Sequence, residues 1–290
     1  MGTLRVLTWN VWGRHGAHED RQRAIIAVLR AEDPDVVFLQ ETWADQATDA
    51  SPGVVQARQI ADALGGYQIV TADGPWFSGR WLGNAVLSRF PVVRSQVRPL
   101  PRLDGGAPYR QAVIAHLDTP WGHWPVLSTH FEHRFDDTQA RQLHAETLLR
   151  IVHDVRGDTP AKSLPVIIGA DLNAVPDSDE LHMLTGRKIG VSGVVLSDVW
   201  EHVGDGGRLG TEGHTWRADN PHTANSAWPN RRLDYVLVSW PRSRPAGNPV
   251  RSWLAGLHAV DGVHPSDHAA LVVDLAVPAP EAGLTEPEAG

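Results

Sequence analysis

The chain has 290 residues, 42% of them hydrophobic and 21% charged, with a net charge of −8 and no cysteine. That length buries a core in one large or two small domains, and the missing cysteines exclude disulfides and thiolate metal sites. No apolar stretch approaches the roughly 20 residues of a bilayer-spanning helix. The acidic balance argues against tight, non-specific DNA binding driven by counterion release.

Met1-Gly2-Thr3-Leu4-Arg5 runs straight into a strand-like segment, so no signal peptide is read and the cytoplasm is the expected compartment. The first strand covers Leu4 to Trp9 and ends in Asn10. A helical stripe of Ala24, Ile25, Val28 and Leu29 follows within 19–30, stopped by Pro34. A second strand, 35–40, ends in Glu41, and a helix over 54–64 closes at Gly65-Gly66. Short strands are expected at 68–71 and 85–88. The runs 111–117 and 124–129 are joined by the turn-rich 118–123 and predict an antiparallel hairpin, which sets Arg110 beside His130. Asp137 can cap a third helix that ends at Gly157. A strand over 165–170 leads into Asp171-Leu172-Asn173. Asp234 and Asp267-His268 open two late strands, expected to run antiparallel to those ending in Asn10 and Glu41. One domain over 1–277 and a Pro-rich, acidic, disordered tail over 278–290 are expected. The fold class is α/β, with mixed sheets stacked on each other and flanked by helices.

Polar residues at strand ends along one rim are where α/β proteins assemble active sites. Asn10, Glu41 and Asp267 offer the oxygen ligands that Mg²⁺ or Mn²⁺ prefers. Asp171 can orient or deprotonate a water, and the Asn173 amide can donate to a substrate oxygen. Asp234 paired with His268 would fix the imidazole tautomer and raise its basicity. His130 adds a second imidazole, and Arg110 a guanidinium that suits phosphate. His15/His18 and His130/His133 have a zinc-like spacing, but no thiolate or matching second pair accompanies them. There is no P-loop, dinucleotide fingerprint or nucleophile elbow. Trp12, Trp43, Trp76 and Trp81 fall in or beside segments expected to be rim loops.

Taken in order, Thr8-Trp9-Asn10, Leu39-Gln40-Glu41, Gly83-Asn84-Ala85-Val86-Leu87-Ser88-Arg89, Ser128-Thr129-His130, Gly169-Ala170-Asp171-Leu172-Asn173, Arg232-Leu233-Asp234-Tyr235 and Ser266-Asp267-His268 resemble the endonuclease/exonuclease/phosphatase superfamily. That is the fold of DNase I, apurinic endonucleases, neutral sphingomyelinases and inositol phosphatases. The resemblance implies a four-layer α/β sandwich (DNase I-like) and phosphoester hydrolysis dependent on Mg²⁺ or Mn²⁺, without a covalent intermediate. It implies Glu41 as principal metal ligand with Asn10 and Asp267 nearby. Asp171, Asn173, His130, Asp234 and His268 then form the catalytic set, with Asn84, Tyr109 and Arg110 on the substrate. The Ala in Gly-Ala-Asp-Leu-Asn is a small departure that keeps the Asp-x-Asn spacing. The expected substrate is a phosphodiester, nucleic acid among the candidates, and the expected form is a monomer with no obligatory protein partner. A sphingomyelinase-like phospholipid diesterase, a soluble phosphomonoesterase and a non-catalytic binding module are the alternatives.

Overall fold

The computed structural model describes residues 2–47, 53–72, 80–157 and 162–278. The chain begins with β1 (Thr3–Asn10), α1 (His18–Glu32), β2 (Val36–Asp45), β3 (Val54–Val55), α2 (Gln56–Leu64), β4 (Gln68–Thr71) and β5 (Arg80–Ser88). Next come β6 (Val92–Leu100), β7 (Arg110–Thr119), β8 (Gly122–His130), α3 (Thr138–Arg156), β9 (Ile167–Asp171) and α4 (Asp179–Leu184). The last elements are β10 (Val195–Asp198), α5 (Val199–Val203), β11 (Asp234–Trp240), β12 (Pro249–Ala255) and β13 (Ala270–Ala276).

Two mixed sheets result. One has the order β12-β13-β1-β2-β5-β4, with β3 paired to the end of β2; the other runs β10-β11-β9-β8-β7-β6. Strand alternation sorts the side chains into three cores. Val6, Phe38, Val113, Val126, Ile167 and Val236 pack between the sheets. Leu7, Trp9, Val37 and Leu39 face outward onto Ile25, Leu29 and Ile60 of α1 and α2. Ile114, Leu127, Ile168 and Leu237 face the other way onto Leu148 and Val152 of α3 and Leu181 of α4. Helix, sheet, sheet, helix is the expected four-layer sandwich. The sheets approach closely at Gly169, where a Cβ would lie 2.2 Å from the Phe38 ring, so no side chain fits there.

Several expectations change. Val54-Val55 pairs with Ala44 and Asp45 as a strand, and α2 starts only at Gln56. The strand expected at 85–88 begins at Arg80. β2 does not stop at Glu41; it continues to Asp45, with its ladder irregular between Leu39 and Thr42 and Glu41 at φ 54°. β11 lies in the second sheet, antiparallel to β9 with Asp234 opposite Asp171, not beside β1 or β2. Of these two late strands, β13 is the one that pairs antiparallel with β1, with Thr8 opposite Leu271. Because the sheets are stacked, either placement brings the start of β11 to the same rim. Trp43 and Trp81 are buried core residues, not parts of an open rim. Trp76, most of the loop around it and residues 279–290 lie outside the described residues. No helix among the described residues is long and apolar enough to cross a membrane.

Candidate active site

The rim residues follow from strand phase. Asn10 continues the inner face of β1 after Leu4 and Val6; His130 continues Val126 on β8; Asp171 continues Ile167 on β9; Asp234 precedes Val236 on β11. Each is the last or first residue of its strand on the face shared by the two sheets, where the apolar filling gives way to polar groups.

Asp171 is the hub. Its Oδ2 accepts from Asn10 Nδ2 at 2.9 Å and its Oδ1 from the Asn173 backbone N–H at 3.0 Å. The same Oδ2 lies 3.4 Å from His130 Nε2 and 3.9 Å from His268 Nε2. Burial, then the charge of Asp234, pushes the Asp171 carboxyl up to about 7. Asn10 is oriented at both ends, because its Oδ1 accepts from Trp12 N–H at 2.9 Å.

His268 Nδ1 bonds Asp234 Oδ2 at 2.7 Å. Burial opposes a charge on its ring, but the carboxylates of Asp234, Asp267 and Asp171 outweigh it and hold the pKa well above the ordinary imidazole value. Asp234 is placed by Thr215, whose Oγ1 accepts from the N–H groups of Leu233 and Asp234 at 3.1 and 3.2 Å.

His130 is the opposite case. Arg110 Nη1 reaches its Nδ1 at 2.7 Å, and a guanidinium only donates, so Nδ1 accepts and the ring proton sits on Nε2. Burial and the Arg110 charge keep the ring neutral, with a pKa well below the ordinary value. The amide atom placed 2.9 Å from Nε2 is Asn173 Nδ2. Because Nε2 carries the proton, the amide oxygen is the atom that belongs there, which turns the Asn173 NH₂ into the site. Asn173 adopts φ 48°, the left-handed conformation that Asn tolerates. With both ring nitrogens of His130 committed, the His130/His133 pair is not a zinc site.

Glu41, Asn84, Tyr109, Arg110 and His130 line one cavity of about 20 Å³, room for about one water. Asn84 Nδ2 donates to the Gln111 carbonyl at 2.7 Å, which leaves its buried Oδ1 without a partner. In that orientation Oδ1 can accept a hydrogen bond from a ligand, and the Gln111 carbonyl takes one of the two N–H groups of the amide. The Tyr109 hydroxyl donates to Glu132. A larger cavity of about 250 Å³ adjoins at Tyr109 and Arg110, bounded also by Arg102, Glu132 and His144.

The donor set fits a hard divalent cation. Burial raises the Asp267 carboxyl and the charge of Glu41 raises it further, against the pull of His268. Two carboxylates set against each other at a half-buried rim are what a cation would relieve. Asp171, Asp234 and His268 also gather ligand atoms within 4.8 Å of one another. Nδ1 of His268 is spent on Asp234, so this group is better suited to carry a proton than a metal.

Two buried residues that sequence reasoning passed over support the rim. Arg21, in the first turn of α1, donates to the carbonyls of Val11, Trp12, Gly13, His15 and Pro265. It holds the loop after Asn10 against the segment before Asp267. Its place on the buried stripe with Ala24, Ile25 and Val28 was the available signal. Gln40 bridges the sheets, its Nε2 reaching Thr8 Oγ1, Ser128 Oγ and the Gly169 carbonyl at 3.1, 3.2 and 3.3 Å. That gives the site a polar floor above the apolar core.

The model of the Endonuclease/Exonuclease/phosphatase family matches residues 7–268. The chain belongs to this family. The donor set agrees with the divalent-metal dependence of that family. The chain is 25% identical over 273 residues to tyrosyl-DNA phosphodiesterase 2 of Xenopus laevis, covering 93% of this chain but 65% of the relative. It thus spans about two thirds of the length of that curated relative. A Danio rerio member of the same kind, crystallised with a single-stranded DNA product, superposes with a TM-score of 0.71 at 21% identity, over 96% of this chain and all of the other, and so shares the fold. A family member from Beutenbergia cavernae is 28% identical with a TM-score of 0.65, over 95% of this chain and 72% of its own.

Proposed function

We propose that the chain is a Mg²⁺- or Mn²⁺-dependent phosphodiesterase acting on nucleic acid or a chemically similar diester, by direct attack of water on phosphorus. The observation that carries this reading is the Asp171 carboxylate, held by Asn10 and Asn173 and facing two imidazoles in opposite states, one neutral and one cationic. Glu41, Asp267 and Asn10 would hold the cation, which when bound polarises a phosphoryl oxygen and neutralises developing charge. Asp171 orients the water and takes its proton as the new O–P bond forms. His268, made cationic by Asp234, presents Nε2–H to the phosphoryl oxygen, and the Asn173 NH₂, oriented by the His130 Nε2–H, adds a neutral donor. The P–O bond to the leaving group breaks and the leaving oxygen departs on the side away from the water.

The curated relatives are named for a tyrosyl-DNA diester, and one structural neighbour holds single-stranded DNA. These favour a nucleic-acid diester, an aryl ester among them. A phospholipid diesterase would expose aromatic residues of the 76–81 stretch at the rim, and Trp81 of that stretch is buried. The connected polar set argues against a non-catalytic module.

Purified protein is expected to hydrolyse bis-p-nitrophenyl phosphate with Mg²⁺ or Mn²⁺, and EDTA to abolish it. A panel of tyrosyl-linked oligonucleotide, plasmid DNA, RNA, sphingomyelin and inositol phosphates ranks the substrates. Asp171→Ala and His268→Ala are each expected to cost at least about 10²-fold, the scale of a lost acid/base group. Failure to cleave any ester with any divalent cation refutes the enzyme reading; undiminished turnover in Asp171→Ala refutes that residue's role.

A further inference from the structure

Arg231 differs from three other arginines around the site. Arg102, Arg134 and Arg217 each pair with a nearby aspartate, respectively Asp104, Asp136 and Asp219. No carboxylate among the described residues pairs with Arg231, and its buried Nε has no partner. Burial lowers its pKa from the ordinary guanidinium value and the charge of Arg141 lowers it further, with no acid opposing. Two aromatic rings hold the guanidinium instead, Phe135 at 4.3 Å and Trp228 at 4.4 Å from their centroids. These rings meet edge to face at 5.1 Å, and Trp228 stays 47% exposed.

The position of this cluster connects it to the chemistry. Arg231 exchanges backbone hydrogen bonds with Trp216 at 2.8 and 2.9 Å, and Trp216 bridges in turn to His268. Arg231 is therefore two chain spacings, roughly 10 Å, from the His268 backbone. Phe135 lies on the loop that leaves His130, its carbonyl held at 3.3 Å by Arg141, which is itself neutralised by buried Glu180. A rigid cation without an acid partner awaits an anion, and an exposed indole is a stacking face for a base.

We propose that Phe135, Trp228 and Arg231 form a nucleotide subsite that takes the nucleotide flanking the scissile phosphate of a single-stranded nucleic acid. Arg231 contacts the flanking phosphate and Trp228 stacks on the base. The inference rests on the nucleic-acid reading of the site. A membrane headgroup is disfavoured, because insertion of these rings would carry the Arg231 charge with them.

The test measures anisotropy of fluorescein-labelled oligo-dT and oligo-rU on the full chain in EDTA, where no hydrolysis intervenes. Trp228→Ala and Arg231→Gln are each expected to weaken binding at least about ten-fold, in line with the loss of one stacked base or one phosphate contact. Arg231→Gln should also flatten the dependence of log K on log salt by about 0.7, the slope of one phosphate contact on a single strand. Trp240→Ala, an exposed tryptophan at the far end of β11, should bind like wild type. In turnover, KM for an oligonucleotide diester should rise at least about ten-fold more than KM for bis-p-nitrophenyl phosphate. Wild-type affinity in both variants, or no oligonucleotide binding by wild type, overturns the subsite. So does loss of binding to sphingomyelin–phosphatidylcholine vesicles in the variants while oligonucleotide binding is kept. Cleavage of bis-p-nitrophenyl phosphate tests the parent reading separately, so the two can fail independently.

Discussion

Two histidines of the same rim are driven to opposite charge states by their neighbours, and this asymmetry is the central fact at the scale of single residues. His268 has a carboxylate on Nδ1, and His130 has a guanidinium there. The first can give a proton or hold a negative oxygen; the second stays neutral, its Nε2–H spent on orienting the Asn173 amide. Replacing Arg110 by Met should therefore release His130. Wild-type His130 is expected to stay a neutral Nε2–H tautomer from pH 8 to 5 in ring ¹⁵N NMR spectra. In Arg110→Met it should take up a proton at higher pH, because the largest of the charges depressing its pKa, after burial, is gone. A ring that titrates identically in both proteins would contradict the assigned role of Arg110.

At the scale of strands and helices, the site was legible because strand phase carries it. Asn10, His130, Asp171 and Asp234 each keep step with the inner-face apolar residues of their own strand, so period-two alternation alone turns them toward the gap between the sheets. The hairpin of β7 and β8 likewise followed from turn chemistry, and it brings Arg110 to His130. What alternation cannot encode is partner choice. The sheet that receives β11 is decided by packing of Val236 and Val238, and the bulge at Glu41 by a pairing with β5 far along the chain. Arg21 and Gln40 were hidden because a buried Arg or Gln declares itself only when its carbonyl and hydroxyl partners are known. β6 escaped notice as an edge strand with exposed Val93 and Val97 and an internal Pro99. Gly169 gives this scale its prediction. A methyl there would meet the Phe38 ring at 2.2 Å with backbone fixed on both sheets, so Gly169→Ala should cost at least about 1–3 kcal/mol and lower Tm by several degrees. Adding Phe38→Leu should recover part of that loss, and a double variant no more stable than Gly169→Ala would show that sheet spacing is not the cause.

At the scale of the whole molecule, the outer helical layer stores a pH response of its own, beside the rim that carries the chemistry. His144 of α3 is buried beneath the loop that carries Pro101, its Nε2–H donating to the Pro101 carbonyl at 3.0 Å and its Nδ1 without a partner. Its ring meets Phe131 edge-on at 5.4 Å. Burial lowers its pKa to about 4, against the smaller opposing effect of the Pro101 hydrogen bond. The unfolded chain protonates near 6.5, so below that pH the unfolded state binds the proton and the folded state does not. Stability supplied by the neutral ring is complete above about pH 6.5 and is lost as pH falls toward 4. The distance from the ordinary imidazole value down to about 4 corresponds to on the order of 3 kcal/mol. Asp171, Asp198 and Asp267, whose carboxyls are raised, act in the opposite sense and blunt the total. The informative quantity is therefore the difference between two proteins. In urea unfolding at pH 7.5, 5.5 and 4.5, His144→Gln should be less stable than wild type at pH 7.5 and should close most of that gap by pH 4.5. A gap that stays constant across the three pH values would mean that His144 contributes packing alone and that the acid response resides elsewhere in the fold.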